Sequence, residues 1–303
     1  MQEALAPIIP QFSVQEADFF PSYPLSRLTT LRIGGPCELL AVPKTEAALL
    51  RLLSLLRDAG IPRVILGNGS NILAPDEGYR GVVIKTTALR EVRLADDVIC
   101  AASGAPLTSL VQAANAAGIG GLSSLCGIPA TVGGAAFMNA GAFGSTFGDA
   151  VREVRVAPAS GGPPFLLSRG ECDFSYRKSI FQARTLTVLS VRITGPSADP
   201  ARLAAEAARV LSERRERHPA EYPNAGSIFR RPAVGYAGKM IEEAGLSGFC
   251  IGGAEVSRKH AGFIVNKGGA TANDVRTLIA EIQSKVYERT GVFLVREIEY
   301  LGE

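Results

Sequence analysis

The sequence predicts a protein that combines α-helices with β-strands, because segments of helical and of strand character follow one another along the chain. A helical stripe is followed directly by an apolar strand in residues 45–66, several strand-like segments follow one another in residues 151–194, and a long helix opens the last third. The chain of 303 residues exceeds what one hydrophobic core usually serves, so we expect two or three domains.

The first predicted helix covers residues 45–59 and leads into a strand. Its apolar residues share one helical stripe and are Ala48, Leu49, Leu52, Leu53 and Leu56. Gly60 is well placed to end the helix, since glycine readily adopts the left-handed conformation found after helices. The sequence RVILGNGSNIL then predicts an apolar strand that runs into a Gly-Asn-Gly turn.

A second helix is predicted to begin at Pro106, to run through VQAANAA and to end at Gly118. Residues 118–148 are rich in glycine and show little periodicity, so we expect loops there. Long loops inside compact domains are often functional, because glycine backbone brings N–H groups close to a ligand.

The segments VREVRVAP, FLLS and TLTVLSVRIT are predicted strands, and GPSADP marks a boundary near residues 195–200. ARLAAEAARVLSERRER is predicted to be helical and to open a new domain. GYAGKMIEEAG is a short predicted helix, and Thr271 with Asp274 predicts the capped start of a helix that runs to Thr290. The apolar segment VFLVREIEYLG is the last predicted strand.

Composition excludes several classes of protein. The net charge of +3 is too small to indicate a nucleic-acid surface, and the basic run at residues 214–218 is interleaved with glutamates, as in a solvated helix end. The five cysteines are widely spaced without a C-x-x-C pair, which suits a reducing compartment. The first residues lack a signal-peptide pattern, and Arg51, Ser54 and Arg57 interrupt the apolar segment that begins at residue 47. We therefore expect a cytoplasmic protein that binds neither membranes nor nucleic acids.

Two glycine-rich segments are candidate ligand sites. Glycine and asparagine in GNGSN, at residues 67–71, allow a turn whose N–H groups converge on an anion, although a tight turn after a strand would use the same residues. In the segment 126–145, small residues at nearly every position from 130 to 136 would let a bulky ligand or a pyrophosphate lie against backbone. The same residues would also let two helices pack closely.

Four single residues are candidates for chemistry. Arg177 can hold a carboxylate through two hydrogen bonds if it faces a pocket, but most such arginines are merely on the surface. Ser227 can release a proton only where neighbours stabilise the alkoxide, and a turn serine is the simpler interpretation. Glu297 fits an edge strand as well as a site. His260 could touch a phosphate or could simply be solvated.

Taken together, these motifs resemble one enzyme family in order and spacing. The matching segments are TTLRIGG at 29–35, GNGSN at 67–71, GIPATVGGA at 127–135, YRKSIF at 176–181, GSIFRRP at 226–232, IGGAEVSRKHAGFIVN at 251–266 and REIEYLG at 296–302. Over nearly the whole chain from Leu25 to Gly302, the sequence resembles the UDP-N-acetylenolpyruvoylglucosamine reductases.

The resemblance implies an α+β fold and a division into domains. A two-lobed FAD-binding domain of the vanillyl-alcohol-oxidase (PCMH) type would cover residues 25–195, with a break near residue 95 and an extension at residues 1–24 before it. A C-terminal α+β domain at residues 200–303 would bind substrate, and its last strand would carry Glu297 into the active site. The pyrophosphate of a non-covalent FAD would lie on the two glycine-rich loops.

The activity that the resemblance implies is the reduction of UDP-N-acetylglucosamine enolpyruvate to UDP-N-acetylmuramate in peptidoglycan synthesis, with NADPH as hydride donor. Hydride from reduced flavin would add to the terminal carbon of the enolpyruvyl group. Ser227 would then give the proton, with Arg177 and Glu297 as catalytic partners. The FAD-binding positions implied are Arg32, Gly67, Asn68, Gly69, Ser70, Asn71, Gly127, Ile128, Pro129, Thr131, Gly133, Gly134, Ala135, Asn139 and Tyr176.

This sequence departs from the family pattern at a few positions. Ala130 stands where the family has glycine in GIPGTVGG, and Arg230 and Arg231 occupy places often held by lysine and asparagine. The connection between Ile193 and Pro223 leaves no room for the tyrosine-bearing loop of longer members, which indicates the shorter subclass. Lys239 and His260 are then our candidates for holding the substrate diphosphate, with Arg230 as a further substrate contact.

Two alternatives remain open from the sequence. One is a flavin oxidase of the same fold that acts on a sugar or alcohol; many of these attach FAD covalently, but His218 and His260 lie outside the flavin loops here. The other is a non-enzymatic nucleotide-binding module, which would have lost the serine, arginine or glutamate, yet all three are present. We expect no bound metal and a protein that acts as a monomer.

Overall fold

The computed structural model describes residues 5–303, so the first four residues of the predicted N-terminal extension lie outside the described residues. The chain divides into two compact units, each built from separate segments. The first unit takes the chain up to Pro21, Glu38–Asn68 and Gly81–Glu213. The second unit takes Ser22–Cys37, Gly69–Arg80 and Arg214–Glu303.

Helices and strands are mixed along the chain, as the α+β prediction requires. The strands are β1 (Ala17–Pro24), β2 (Pro36–Pro43), β3 (Arg63–Leu66), β4 (Ile72–Leu73), β5 (Tyr79–Lys85), β6 (Val92–Ala95), β7 (Val98–Ala102), β8 (Gly141–Ala142), β9 (Ser145–Thr146), β10 (Val151–Pro158), β11 (Phe165–Ser168), β12 (Leu186–Ile193), β13 (Asn224–Ser227), β14 (Cys250–Ile251), β15 (Ala254–Val256), β16 (Phe263–Asn266) and β17 (Glu299–Tyr300). The α-helices between residues 46 and 290 are α1 (Glu46–Asp58), α2 (Leu107–Ala116), α3 (Val132–Phe137), α4 (Phe147–Ala150), α5 (Ile180–Ala183), α6 (Pro200–Arg217), α7 (Ala237–Glu243) and α8 (Ala272–Thr290).

The helix α1 confirms the first prediction and covers one face of a sheet. The Thr45 hydroxyl caps the helix by accepting a hydrogen bond from the Ala48 amide, and Gly60 follows with φ +62°. All five residues of the predicted stripe are buried. The four leucines belong to one core cluster with Val82 and Ile84 of β5, which pairs in parallel with β3 in a four-stranded sheet of order β1-β2-β5-β3.

A five-stranded antiparallel sheet of order β11-β10-β12-β7-β6 forms the other half of the first unit's core. Inward-facing residues such as Val154, Val191 and Ile99 pack with α2 and with the fully buried Phe147. The strands β10, β11 and β12 match the predicted run of strands. The alternation of inward apolar and outward polar residues in VREVRVAP explains why one face is core and the other is not.

The second unit is built around a smaller sheet of order β13-β16-β15-β14 and the helix α8. The capping box predicted at Thr271 is present, because the Thr271 hydroxyl accepts from the Asp274 amide at 3.0 Å and the Asp274 carboxylate accepts from the Thr271 amide. The short parallel pair of β4 and β17 joins residues 72–73 to the C-terminal segment.

Two predictions about local structure were wrong. The segment 118–148 is not a run of loops, since it contains α3, α4 and the hairpin of β8 and β9. Ala135 and Ala136 of α3 are buried in the core. Because the neighbouring residues are also small, the sequence shows little contrast between the buried and exposed faces of this helix. The last predicted strand is also shorter than expected. Within this segment only Glu299–Tyr300 forms a strand, β17. The residues before it form a single isolated β-bridge, between Arg296 and Phe229.

Candidate active site

The two glycine-rich loops meet inside the first unit. The Asn68 side-chain amide donates a hydrogen bond to the Pro129 carbonyl at 2.7 Å. At Gly67 an added Cβ would lie 2.3 Å from the Thr131 hydroxyl, so only glycine allows this approach. The GNGSN turn and the segment 127–135, which are far apart in sequence, are therefore in contact.

The second loop is shaped by its own hydrogen bonds. Gly127 has φ +80°, Ile128 is half-buried beside the core, and Thr131 caps α3 by accepting from the Gly134 amide at 3.2 Å. The Gly133 amide donates to the Ser103 carbonyl at 2.7 Å. An added Cβ on Gly134 would meet only the Thr131 hydroxyl, at 3.4 Å, so the surface there is bare backbone. A strip of exposed backbone of this kind fits the flat body or the pyrophosphate of FAD.

Asn139 supports the loop that carries Arg177. Its side chain is buried and bonded at both ends, since it donates to the Ser175 carbonyl at 2.9 Å and accepts from the Gly148 amide at 2.9 Å. Arg177 has φ +56°, in the left-handed region, and its guanidinium donates to the Gly141 carbonyl at 3.1 Å. The same guanidinium lies 5.2 Å from the centre of the half-exposed Tyr176 ring. Arg177 is thus held in place and is not a free surface side chain.

In the second unit, Ser227 and Glu297 are brought together by backbone hydrogen bonds. Ser227 ends β13 beside a bulge, where Gly226 has φ +78°, and its side chain is exposed. The carbonyl of the next residue, Ile228, accepts from the Glu297 amide at 2.7 Å. The hydroxyl and the carboxylate therefore belong to neighbouring backbone segments, although no strand links them.

Asn71 joins this pair from the GNGSN turn. Its side-chain amide donates to the Glu297 carbonyl at 3.1 Å, and its own carbonyl accepts from the Glu299 amide at 3.0 Å. Two hydrogen bonds from one residue thus fix the backbone on both sides of Ile298. The sequence indicated Asn71 only as a cofactor contact, whereas the structure shows it holding the segment that carries Glu297.

The other FAD-binding candidates of the second unit, Arg32, Gly69 and Ser70, lie where the TTLRIGG segment contacts the GNGSN turn. The Gly69 carbonyl accepts from the Thr30 amide at 3.2 Å, and an added Cβ on Gly69 would lie 2.3 Å from the Leu28 carbonyl oxygen. Arg32, in the same loop, has φ +57° and an exposed side chain, while Ser70 is half-buried. The TTLRIGG and GNGSN motifs therefore pack against each other.

The three substrate-binding candidates are less closely associated. Lys239 is exposed on α7 and lies 3.6 Å from Glu243 of the same helix. Its neighbour Gly238 lies against His260, because an added Cβ there would be 3.2 Å from the imidazole Cε1. Arg230 donates its backbone amide to the Val295 carbonyl at 2.8 Å, and its buried Nε has no hydrogen-bond acceptor among the described residues.

His260 belongs to a cluster of rings and is not simply solvated. Its ring centre lies 4.9 Å from that of Phe263 and 6.1 Å from that of His218, and its Nδ1 accepts from the Gly262 amide. Burial lowers the pKa of His260 and, with help from the nearby Arg214, lowers the pKa of His218 to about 4. The expectation that the run 214–218 is a solvated helix end was wrong for His218, whose ring packs inward.

Sequence reasoning missed Asp76, which follows the GNGSN turn. Its carboxylate accepts from the Ala272 amide at 2.7 Å and from the Asn273 amide at 3.0 Å, at the start of α8. The only signal in the sequence is an acidic pair, Asp76 and Glu77, after Ala74 and Pro75. Lys85 was also missed: it is the register partner of Leu66 just before the turn, and burial lowers its pKa.

The described residues form neither a metal site nor a membrane-spanning helix. Among residues 5–303, no cluster of three or more histidine, cysteine or acidic side chains is arranged to hold a metal ion. Over the same described residues, no helix has both the length and the apolar character needed to span a membrane.

Comparison with known proteins identifies the family. The profile described as UDP-N-acetylenolpyruvoylglucosamine reductase, C-terminal domain, matches residues 218–301, and an FAD binding domain profile matches residues 37–162. A UDP-N-acetylenolpyruvoylglucosamine reductase of Caldanaerobacter subterraneus is 42% identical over 290 residues, which cover 96% of each chain. The reductase of Clostridium botulinum is 41% identical over 280 residues, covering 92% of this chain and 91% of its relative.

A solved structure agrees with these sequence matches. The crystal structure of the UDP-N-acetylenolpyruvylglucosamine reductase from Thermus caldophilus superposes with a TM-score of 0.78 at 33% identity, covering 94% of this chain and 98% of the other. The predicted fold class, with an FAD-binding domain followed by a C-terminal α+β domain, is thereby confirmed, as is the prediction of an FAD-containing oxidoreductase. This chain belongs to the UDP-N-acetylenolpyruvoylglucosamine reductase family.

Proposed function

We propose that the protein reduces UDP-N-acetylglucosamine enolpyruvate to UDP-N-acetylmuramate with NADPH, as a cytoplasmic monomer that serves peptidoglycan synthesis. The observation that carries this proposal is the hydrogen bond from the Glu297 amide to the carbonyl of Ile228, the residue after Ser227, in a chain that matches reductases of this name over nearly its full length. A nucleotide-binding module without chemistry would not need a hydroxyl and a carboxylate on neighbouring segments.

The first unit supplies the residues proposed to hold FAD. The bare backbone at Gly134 would accept the cofactor without side chains in the way, and the close approach of Gly67 to Thr131 would hold the two loops together. When bound and reduced by NADPH, FAD would supply hydride to the terminal carbon of the enolpyruvyl double bond. The proposed FAD-binding domain covers residues 25–195 and the substrate-binding domain residues 200–303.

Arg177 is proposed to hold the substrate carboxylate. An enol ether becomes electrophilic only when the attached carboxylate is polarised, and negative charge grows on that carboxylate as the double bond is reduced. A guanidinium keeps its charge and can donate two parallel hydrogen bonds. The Gly141 carbonyl and the Tyr176 ring already orient this guanidinium, so little side-chain entropy is lost on binding.

Ser227 is proposed to donate the proton to the carbon that bears the carboxylate, with Glu297 as its partner. The exposed position of Ser227 at the end of β13 leaves its hydroxyl accessible to a substrate. Glu297 would stabilise the developing enolate when protonated. Asn71 would act as a positioning residue, because its two hydrogen bonds hold the backbone on either side of Ile298.

The contacts to the UDP portion are proposed to come from Lys239, His260 and Arg230. Lys239 and His260 lie on adjoining elements, since Gly238 packs against the His260 ring. The orphaned Nε of Arg230 is a donor that a substrate oxygen could use.

The test separates the two half-reactions of the purified protein. A visible spectrum that shows close to one flavin per protein chain first establishes FAD binding. In Ser227→Ala we expect NADPH to reduce the flavin at the normal rate, while reoxidation by the enolpyruvyl substrate slows by about 10²–10⁴-fold, the usual contribution of a positioned general acid. Ser284→Ala, an exposed serine on α8, is the matched control and should behave as the native protein.

Two outcomes would contradict the proposal. Unimpaired reoxidation in Ser227→Ala would remove Ser227 from the proton transfer. Fast reoxidation of the native enzyme by air, with no acceleration by the enolpyruvyl substrate, would instead indicate a flavin oxidase of the same fold.

A further inference from the structure

The first unit contains a groove of about 710 Å³ that none of the residues 67–71 or 127–135 lines. We call it the basic groove, because its lining includes Lys44, Arg90, Arg93, Arg155 and Arg192. Glu46 and Glu91 line it as well, and Glu153 and Asp18 form ion pairs with the lining residues Arg192 and Lys44, so five basic and four acidic side chains leave a net charge of +1. A positively charged groove of this kind attracts anions.

The register of the five-stranded sheet places the arginines on one face. Arg93 of β6 pairs with Cys100 of β7, and Cys100 pairs in turn with Arg192 of β12. Arg155 of β10 pairs with Ser190, two residues along β12 from Arg192. Residues directly opposite each other across an antiparallel pair point to the same side, so these three guanidinium groups project from one surface. Arg93 and Arg192 stand two strands apart, or about 10 Å, which a pair of phosphates can span.

The arginines form ion pairs with carboxylates, but an anionic ligand can compete with these carboxylates for the guanidinium groups. Arg192 lies 2.6 Å from Glu153, Arg93 lies 3.0 Å from Glu91, and Arg155 bonds to Glu46. The arginine side chains in these pairs are 40% to 68% exposed, and ion pairs in that setting contribute little to stability. A guanidinium has five N–H donors, so one carboxylate leaves donors for a phosphate.

The groove also has an apolar wall. Leu89, Leu166 and Leu189 line it together with two alanines; Leu89 and Leu189 are buried, so Leu166, which is 52% exposed, is the accessible leucine. A solvent-exposed leucine on a sheet face is available to cover a flat ring. The volume falls within the range of about 300–1,000 Å³ typical of small-molecule sites. Cations spaced for two phosphates beside an apolar wall match a nucleoside diphosphate.

We propose that the basic groove binds a nucleoside diphosphate at a site separate from the flavin loops. The phosphates lie across Arg93, Arg192 and Arg155, and the base lies on the exposed side chain of Leu166. The site is independent of the proposed reaction, because none of its residues has a part in it.

The test uses the FAD-loaded enzyme, so that the flavin loops are already filled, and ADP as the probe in isothermal titration calorimetry. We expect saturable binding, with inorganic pyrophosphate weaker and adenosine weakest, because each carries only part of the recognised chemistry. Arg155→Ala with Arg192→Ala should weaken ADP binding at least about tenfold through loss of two charge-assisted hydrogen bonds. The control pair Arg209→Ala with Arg289→Ala removes two exposed arginines outside the groove and should change the affinity less than about twofold.

Absence of binding at millimolar ADP would overturn the proposal, and so would equal affinity in the groove variant, which would place ADP elsewhere. Flavin content and the unfolding midpoint establish that the variants are folded. If the first pair of substitutions unfolds the protein, Arg90→Ala with Arg93→Ala removes two exposed groove arginines instead and carries the same expectation.

Discussion

The stability of the second unit should depend on pH through His218. The ring of His218 lies 5.0 Å from that of Phe263 and 6.1 Å from that of His260, and burial together with Arg214, His260, Lys259 and Arg217 lowers its pKa from 6.5 to about 4. Its folded form therefore resists protonation. The stabilising contribution is complete above pH 6.5 and is lost as pH falls toward 4, because the unfolded chain takes up the proton first.

The size of the effect follows from the two pKa values. At 1.36 kcal/mol per pKa unit, the difference between 6.5 and about 4 corresponds to about 3.4 kcal/mol when complete, of which about 2 kcal/mol falls between pH 7 and pH 5. The ring is only partly buried, and solvent screening reduces this to about 1 kcal/mol.

The variant His218→Phe keeps a ring against Phe263 but cannot take up a proton. In urea unfolding of the FAD-loaded protein, followed by circular dichroism, the native protein should lose about 1 kcal/mol more than the variant between pH 7 and pH 5. Ser284→Ala, outside the cluster, should show the native profile. Parallel pH profiles for the native protein and His218→Phe would refute the reasoning.

Three further substitutions test the backbone contacts around the site. Asp76→Ala removes the acceptor of two α8 amides and should lower the free energy of unfolding by about 2 kcal/mol in urea, with Asp76→Asn intermediate; an unchanged midpoint would contradict the capping role. Gly67→Ala places a methyl 2.3 Å from a threonine hydroxyl, so the flavin bound per chain should fall well below that of Gly170→Ala, whose Cβ meets nothing within 4 Å. Asn71→Ala should lower kcat about tenfold with KM and flavin content nearly unchanged, with partial recovery in Asn71→Ser; a rise in KM alone would argue against positioning of Glu297.

The fold was predictable where periodicity and caps agree. The leucine stripe with Thr45 and Gly60 predicts α1 to within a residue at each end, and the capping box at Thr271 predicts the start of α8. The segment 118–148 was not predictable in the same way, because alanine and glycine leave almost no amphipathic contrast in α3. The prediction of the last strand was wrong for a different reason. Apolar residues predict burial, but a strand also needs a partner strand, and before β17 the segment forms only one bridge, between Arg296 and Phe229.

The candidate site was predictable as a set of motifs and not as a set of contacts. Motif order led to Arg177, Ser227 and Glu297, whose roles remain proposals. Sequence alone does not reveal that Asn71 holds the Glu297 backbone or that Asp76 caps a helix almost 200 residues later, since both depend on contacts between remote segments. The inward packing of His218 was hidden for the same reason, because its polar neighbours in the chain indicate a solvated position.

The segmented make-up of the two units has a consequence for how the chain is synthesised. Leu31, Ile33 and Leu73 belong to the core of the second unit, yet their partners, such as Ile264 and Leu278, leave the ribosome some 190 residues or more later. A nascent chain of the first 200 residues therefore carries three large apolar side chains with no core to enter. We expect such a chain, or a fragment cut at the boundary near residues 195–200, to need a chaperone or to aggregate, and the complementary fragment 200–303 to lack part of its own interior.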